Sequence, residues 1–331
     1  MKNRLGLLIY KIKNSLGFRY LFCGLLFPIN ILTILLYRPP LVLAYHRIYN
    51  SNTEVEELQD ISISDSCIRK QLTLLSVFGY RFINNPKSIK RGRCLVTYDD
   101  GFIDTLKVLN SDCFLASVPS IHFISESMAS GKYLNWAAQT RHGILRRPES
   151  KGYNFSEKGS LHTTDEFWSY RNNLLKKPAN ERLSDVRKIN GGEPVTNFSD
   201  LYASFEQIRV QLAPDHLVSC HGRDHEAIWH YESREALLKS LVENKNALLC
   251  EFGGSYRNYH ALPYGAEPDF PWKHDVLADI YEYVFLTRPY RLSSDSSFMV
   301  PRLCLSEADG ILMFTLKCSG LTNLLRKVLN V

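Results

Sequence analysis

The sequence predicts a barrel of parallel β-strands with helices between them, and three observations lead to this fold class. Short apolar runs recur along the chain after residue 39, helical stretches separate them, and polar residues follow the ends of several runs. Continuous apolar runs are typical of strands that are covered on both faces, as in a parallel sheet. The chain has 331 residues and is 45% hydrophobic, so it is long enough to bury such a core.

The predicted strands are the apolar runs at 41–46, 94–99, 120–125, 217–221, 260–265, 283–287 and 299–305. Two clear helical stretches, at 67–79 and 233–249, lie between runs, so βα units are expected. Chemically active residues stand at the ends of four runs: Tyr45-His46, Asp99-Asp100, Cys220-His221 and Tyr264-Gly265. In a β/α barrel the carboxyl ends of the strands carry the active site.

Residues 146–200 interrupt the alternation of strands and helices. They are polar and contain helical stretches such as DEFWSYRNNLLKK. We expect an insertion on the active face that shapes a substrate groove or contacts a partner, and simple helical padding is an equal alternative. The domain organisation is therefore a membrane-association segment at 1–38 and a barrel at 39–331 that carries this insertion.

The first forty residues predict contact with a membrane. Residues 20–37 carry no charge over 18 positions, the minimum for a spanning helix. Upstream, apolar residues follow helical spacing and lysines lie off that stripe, as in an amphipathic helix on an anionic surface. The stripe is Leu5, Leu8, Ile9, Ile12 and Leu16.

Three interpretations of this segment stay open. A signal anchor would place the body on the periplasmic side, whereas a monotopic segment broken near Pro28 and Asn30 would keep it on the cytoplasmic face of the inner membrane. A buried core helix is the third. The short link to the first strand and eight cysteines without a CxxC pair favour the cytoplasmic face.

The distribution of charge argues against a nucleic-acid partner. The net charge is +6, but the first acidic residue is Glu54 and seven basic residues precede it. These are Lys2, Arg4, Lys11, Lys13, Arg19, Arg38 and Arg47. The body is therefore close to neutral, and the basic end is suited to anionic lipid.

Two sequence motifs indicate a metal site. Asp99 and Asp100 adjoin each other after a strand, and burying them requires a compensating cation. His221 and His225 stand four residues apart, and both imidazoles can meet one ion if the chain turns between them.

In combination the motifs resemble those of the polysaccharide deacetylases, the NodB-homology or family 4 carbohydrate esterases. Their T-[FY]-D-D-G motif is matched at 97–101, and their H-[ST]-x-x-H motif by His221 and His225, with Gly222 where Ser or Thr is usual. Their third motif ends in P-Y-G, matched at 263–265. The resemblance covers about residues 40–305 and implies a distorted (β/α) barrel of the NodB-homology type.

The resemblance also implies roles for individual residues. Asp100, His221 and His225 would hold a divalent ion, zinc first, although Co²⁺, Ni²⁺ or Fe²⁺ also suit this donor set. Asp99 would be the general base. The backbone N–H of Tyr264 would help to hold the oxyanion.

Two departures from the family pattern require substitutes. An L-x-H histidine is not visible after residue 280, and His46 in LAYHRI is similar to the N-terminal acid histidine of permuted poly-N-acetylglucosamine deacetylases. We therefore expect His46 to be the general acid, with a structural histidine as the alternative. Two residues before the P-Y-G proline the family often has an arginine that steadies the catalytic aspartate, and this chain has Ala261 there. Arg302, in a late strand, is the hypothetical replacement.

The expected function is a metal-dependent N-deacetylase that removes acetyl from an amino sugar of a bacterial surface polysaccharide or its lipid-linked precursor. A catalytically silent relative that binds glycan or scaffolds an assembly is one alternative. A metallohydrolase acting as an O-acetyl esterase or a deformylase is another. The sequence does not indicate an oligomeric state.

Overall fold

The centre of the molecule is a parallel sheet that curls almost into a closed barrel, as the sequence predicts. The structure, a computed structural model, describes residues 16–51, 61–132, 135–140, 164–192, 201–265, 267–287 and 298–321. Within 16–51 the side chains are described from residue 24 onward, and within 164–192 from residue 170 onward. The strand order is β10-β9-β8-β7-β6-β5-β1-β11, and β4 pairs with β5.

All pairings in the sheet are parallel within the described residues. The strands are β1 (Leu41–Tyr45), β2 (Arg47–Tyr49), β3 (Ser62–Ser64), β4 (Arg81–Ile83), β5 (Arg93–Asp99), β6 (Ser120–Ile124), β7 (His216–Cys220), β8 (Tyr256–Ala261), β9 (Tyr283–Leu286), β10 (Met299–Pro301) and β11 (Leu303–Cys304). A separate small sheet pairs β2 with β3.

The segment 299–304 joins the two edges of the sheet. Its first half, β10, pairs with β9, and its second half, β11, pairs with β1. Arg302 lies between the two halves, and its backbone N–H donates to the carbonyl of Leu286 at 2.8 Å. One continuous stretch of chain thus forms the seam of the barrel and positions the Arg302 side chain inside it.

Helices surround the strands. They are α1 (Leu16–Tyr37), α2 (Asp65–Val77), α3 (Ile103–Ser111), α4 (Cys113–Ala116), α5 (Glu126–Ala129), α6 (Thr164–Leu175), α7 (Ala179–Ile189), α8 (Phe205–Gln211), α9 (Arg234–Phe252), α10 (Pro271–Ile280) and α11 (Ile311–Ser319). Serine residues at 64, 204 and 233 cap α2, α8 and α9, since each accepts a hydrogen bond from the first turn.

The alternation of side chains along the strands divides the core into layers. In β5, Cys94, Val96 and Tyr98 face the outer layer, which α2 and α11 cover. Leu95 faces the barrel interior, where it packs with inward residues of the other strands. Since successive side chains point to opposite faces, Asp99 lies on the same face as Leu95, at the carboxyl end of the interior.

The predicted strands all occur, with changed limits at two of them. β8 begins at Tyr256, four residues before the predicted run, and the P-Y-G motif is a 3₁₀ turn after it. The run 299–305 is divided by Arg302. The strands β2, β3 and β4 are too short and too polar to be visible as apolar runs, because tertiary pairing rather than local pattern stabilises them.

The N-terminal helix α1 ends at Tyr37 and contains Pro28. The monotopic interpretation expected a break near Pro28 and Asn30, but the helix continues through both residues. Among the described residues, no helix has both the length and the apolar character needed to cross a membrane. The upstream stripe ending at Leu16 lies outside the described residues, except for Leu16 itself. Of the predicted insertion at 146–200, the described part forms α6 and α7.

Candidate active site

Asp99 forms an ion pair with Arg302 at the carboxyl end of the barrel interior. Nη1 of Arg302 lies 2.6 Å from Oδ1 of Asp99 and Nη2 lies 2.7 Å from Oδ2, a bidentate geometry. Nη1 also donates to Thr97 Oγ1 at 3.0 Å. Burial raises the pKa of the Asp99 carboxyl, but the guanidinium outweighs it and holds the pKa below its ordinary value. Asp99 is therefore ionised at neutral pH.

The rings of two phenylalanines hold the guanidinium of Arg302 in place. Its central carbon lies 5.3 Å from the ring centroid of Phe123 and 6.0 Å from that of Phe285. Both rings belong to the barrel interior. Arg302 thus occupies the position that the sequence hypothesis gave it, beside the aspartate and fully buried.

Asp100, His221 and His225 converge on one point beside this pair. One ligand atom from each lies within 4.8 Å of the others. Oδ1 of Asp100 is 3.3 Å from Nε2 of His221 and 3.1 Å from Nε2 of His225. Burial raises the pKa of Asp100, and the two histidines bring it well below its ordinary value.

These three residues fit a bound metal ion. Oδ1 of Asp100 is buried and faces both imidazoles, yet it accepts no well-formed hydrogen bond from them. Nδ1 of His221 donates to the carbonyl of Ala261 at 2.9 Å, which leaves the lone pair of Nε2 directed at the cluster. A carboxylate with two imidazoles is a donor set for zinc and its neighbours in the periodic table.

Local backbone conformation brings the two histidines together. His221 follows β7, and the loop turns through left-handed residues at Gly222 (φ 76°) and His225 (φ 52°). A Cβ at Gly222 would meet Pro263 at an ordinary 3.4 Å, so the conformation rather than space favours glycine there. This accounts for glycine where the family motif has Ser or Thr.

His225 is oriented by two side chains. The amide nitrogen of Asn135 lies 2.8 Å and the hydroxyl of Tyr264 lies 3.3 Å from its Nδ1. The ring of Tyr264 packs edge-on against the imidazole, with centroids 4.9 Å apart. Both groups therefore fix the ring whose Nε2 faces Asp100.

The P-Y-G turn has an unusual backbone. Tyr264 is left-handed, at φ 62° and ψ 1°. Gly265 is also left-handed, at φ 66°, and a Cβ on it would lie 2.2 Å from the side chain of Thr287. Only glycine fits this position, and the turn directs Tyr264 into the cavity.

His46 lies beside Asp99, and its Nε2 is 3.8 Å from Oδ2 of Asp99. Burial lowers the pKa of its imidazole. The Cys304 thiol and the carboxylates of Asp99 and Asp100 more than offset this and raise the pKa to about 9. The histidine is therefore protonated at neutral pH.

A cavity of about 220 Å³ joins these groups. Six of the predicted residues line it, and the seventh, Arg302, lies behind Asp99. The six are His46, Asp99, Asp100, His221, His225 and Tyr264. Apolar side chains such as Phe102 and Leu262 form much of the remaining wall.

Asn135, Arg171 and Cys304 are among the cavity residues that sequence reasoning missed. Asn135 and Arg171 carry no motif. Cys304 belongs to the same short run as Arg302, so its place beside the seam was a usable signal. Tyr98 and Trp136 are both buried and do not line the cavity; Trp136 packs on Tyr264 with ring centroids 6.2 Å apart.

The described part of the insertion contacts the loop that carries His225. Arg182 of α7 is buried and forms an ion pair with Glu226, the neighbour of His225. Its guanidinium lies 5.0 Å from the Trp136 ring centroid. His230 bonds to Glu226 and to the carbonyl of Leu175 in α6. These contacts tie both insertion helices to the metal-site loop.

The chain was compared with protein-family models, curated proteins and solved structures. No family model matches the sequence, and no curated protein matches it. Several solved structures match the fold. A de-N-acetylase from Aggregatibacter actinomycetemcomitans shares 13% identity with a TM-score of 0.54, over 84% of this chain and 98% of that one. The chain has the polysaccharide deacetylase fold.

Two further structures support the same fold. IcaB from Ammonifex degensii shares 16% identity with a TM-score of 0.52, over 85% of this chain and 97% of that one. A polysaccharide deacetylase from Bacillus cereus shares 14% identity with a TM-score of 0.52, over 85% of this chain and 69% of that one. The NodB-type barrel predicted from the motifs is thus confirmed as the fold.

Proposed function

We propose that the protein is a metal-dependent N-deacetylase that removes acetyl from an amino sugar of a bacterial surface polysaccharide or its lipid-linked precursor. One observation carries this proposal. A buried Asp-His-His set, an arginine-held carboxylate and a protonated histidine line a single cavity. A module that only binds glycan has no use for a candidate base and a candidate acid beside a candidate metal site.

Asp100, His221 and His225 would hold the ion, with zinc as the first candidate. When bound, it supplies a Lewis acid that activates water and polarises the acyl carbonyl. The protein keeps these ligands in place through the hydrogen bond from His221 to the carbonyl of Ala261 and through the Tyr264 hydroxyl, whose oxygen can accept from Nδ1 of His225.

Asp99 is the proposed general base. Both of its oxygens are held by Arg302, so the carboxylate has a fixed orientation at the edge of the cavity. Its lowered pKa keeps it ionised and ready to accept a proton from water. The arginine also offsets the repulsion between Asp99 and Asp100.

His46 is the proposed general acid. It lines the cavity beside Asp99, and its pKa of about 9 keeps a proton on the ring at neutral pH. That proton goes to the leaving amine of the sugar as the carbon–nitrogen bond breaks. The backbone N–H of Tyr264 is the proposed oxyanion donor, since the left-handed turn places this residue in the cavity wall.

The test is release of acetate from N-acetylglucosamine oligomers by the purified full chain, before and after chelation and zinc return. We expect release that chelation abolishes and zinc restores. Asp99→Asn is expected to keep its metal and lose turnover by at least about a hundredfold.

Other outcomes identify the alternatives. Faster cleavage of O-acetyl or N-formyl sugars than of N-acetyl sugars would indicate the esterase or the deformylase. A protein that holds one metal per chain and turns over none of these, including lipid-linked sugars, would contradict catalysis and support the silent relative.

A further inference from the structure

One face of helix α1 presents apolar side chains to solvent. Leu25, Ile29, Leu32 and Leu36 are 70%, 52%, 55% and 66% exposed. Their spacing of three and four residues places them on one side of the helix, here called the apolar face. A contiguous exposed apolar stripe marks an interaction site on a soluble protein surface.

The opposite face of α1 is fixed to the barrel. Ile34 is fully buried in a cluster that includes Phe314 and Cys318 of α11. The hydroxyl of Ser319 donates to Oδ1 of the buried Asn30 at 2.8 Å. A helix held in this way offers only its apolar face to a partner, and crossing a bilayer would require it to leave these contacts.

A segment rich in basic residues contacts the carboxyl end of α1. The sequence has seven basic residues and no acidic one between Asp65 and Asp99. Five of the seven fall at 81–93, here called the basic loop: Arg81, Lys87, Lys90, Arg91 and Arg93.

Backbone contacts join the basic loop to the helix. The guanidinium of Arg91 donates to the carbonyls of Leu36 and Tyr37, and the N–H of Gly92 donates to the carbonyl of Arg38 at 2.8 Å. The basic loop also has an acidic neighbour: Oε2 of Glu282 lies 3.5 Å from Nζ of Lys87, and both side chains are more than half exposed. The Arg91 guanidinium therefore lies beside the carboxyl end of α1, next to Leu36 of the apolar face.

We propose that the apolar face of α1 and the basic loop form one surface that binds the anionic surface of a membrane, with α1 in the plane of the lipid–water interface. An apolar stripe bordered by cations is the pattern of an interfacial helix. Charge favours this occupant, because a cationic border beside an apolar stripe is complementary to the anionic headgroups of a lipid surface.

The position of this surface leaves the active site open. β4 and the basic loop lie at the amino end of β5, since Arg81 pairs with Arg93 at its first residue. The cavity lies at the carboxyl ends of the strands, so a glycan can enter while lipid is bound. The proposal does not depend on the deacetylase activity.

The experiment is flotation of the full chain with vesicles of phosphatidylcholine alone or with phosphatidylglycerol. We expect binding to the anionic vesicles that rising salt weakens. Arg81→Gln with Lys90→Gln is expected to weaken it about 10- to 30-fold. Leu32→Asn with Leu36→Asn is expected to weaken it at least about tenfold. The matched control is Val210→Asn with Lys239→Gln, which alters side chains 77% and 74% exposed elsewhere and should bind like the wild type.

Several results would overturn the proposal. The first is wild-type protein that does not float with anionic vesicles. The second is that Arg81→Gln with Lys90→Gln and Leu32→Asn with Leu36→Asn both float as well as the control variant. Membrane-bound protein that resists extraction by alkaline carbonate would contradict an in-plane helix. If Leu32→Asn with Leu36→Asn instead reduces the mass of the particle in vesicle-free solution, the face is a contact between copies of this chain. Circular dichroism of each variant verifies that it is folded.

Discussion

At the scale of single residues, the Arg302–Asp99 pair decides whether the proposed base is competent. Arg302→Ala leaves a buried carboxylate without its partner, which costs about 3–5 kcal/mol of stability when a buried pair is broken. The pKa of Asp99 then rises, so the acidic limb of the pH–rate profile should move to higher pH, with lower turnover. A pH profile with a denaturation curve measures both.

Arg302→Lys is the matched control for this prediction. It keeps the charge and loses the bidentate geometry, so we expect an intermediate shift of the acidic limb. Unchanged turnover in Arg302→Ala would contradict a role for Arg302 in steadying Asp99.

His46 should control the alkaline limb. Because its folded pKa is raised to about 9, activity that needs the protonated ring should decline as pH rises through about 9. Stability should depend on pH with the same sign. The His46–Asp99 pair contributes fully to the free energy of unfolding below the ordinary histidine pKa, and this contribution is lost as the pH rises through the folded pKa of about 9.

Cys304 provides a direct test of this assignment. Its thiol is one cause of the raised pKa of His46, so Cys304→Ala should move the alkaline limb to lower pH. Cys113→Ala, which changes an exposed cysteine elsewhere, should leave the profile unchanged. An alkaline limb that Cys304→Ala and His46→Gln both leave in place would belong to another group.

At the scale of elements, the insertion helices support the metal-site loop. Arg182→Ala removes one of the two side chains that bind Glu226, the neighbour of His225, and leaves only His230 to hold it, so the loop is less well fixed. Loss of a group that orients a ligand typically lowers metal affinity about 10- to 100-fold. Titration of zinc against a chromophoric chelator measures this. Lys188→Ala, on the same helix with a side chain 68% exposed, should bind zinc like the wild type; equal losses in both variants would indicate general damage to α7.

At the scale of the whole molecule, metal binding should stabilise the barrel. The three ligands come from the ends of β5 and β7 and the loop after β7, so the ion binds the folded chain and not the unfolded one. Zinc at a hundred times its Kd adds about 2.7 kcal/mol, which raises the melting temperature by several degrees. Asp100→Ala should lose this rise. An equal rise in that variant would show that zinc binds elsewhere.

The closure of the barrel also belongs to this scale. Segment 299–304 pairs with β9 on one side and β1 on the other. Arg302, His46 and Cys304 lie at or beside this seam, so the proposed acid and the arginine that holds the proposed base both depend on the closure of the barrel.

The sequence by itself determined the fold class, the apolar strands of the barrel, and Asp100, His221 and His225 as the candidate metal ligands. Apolar runs mark buried strands because both faces of a parallel sheet are covered, and the Asp99-Asp100 and His221-His225 motifs are short enough to be read locally. Tertiary structure alone decided the pairing of Asp99 with Arg302, which are 203 residues apart.

Tertiary structure also decided the contact of α7 with the His225 loop and the division of α1 into a packed and an exposed face. The physical reason is the same in each case. Local patterns report which side chains avoid water, whereas the closure of a sheet and the docking of a helix fix which distant charges meet.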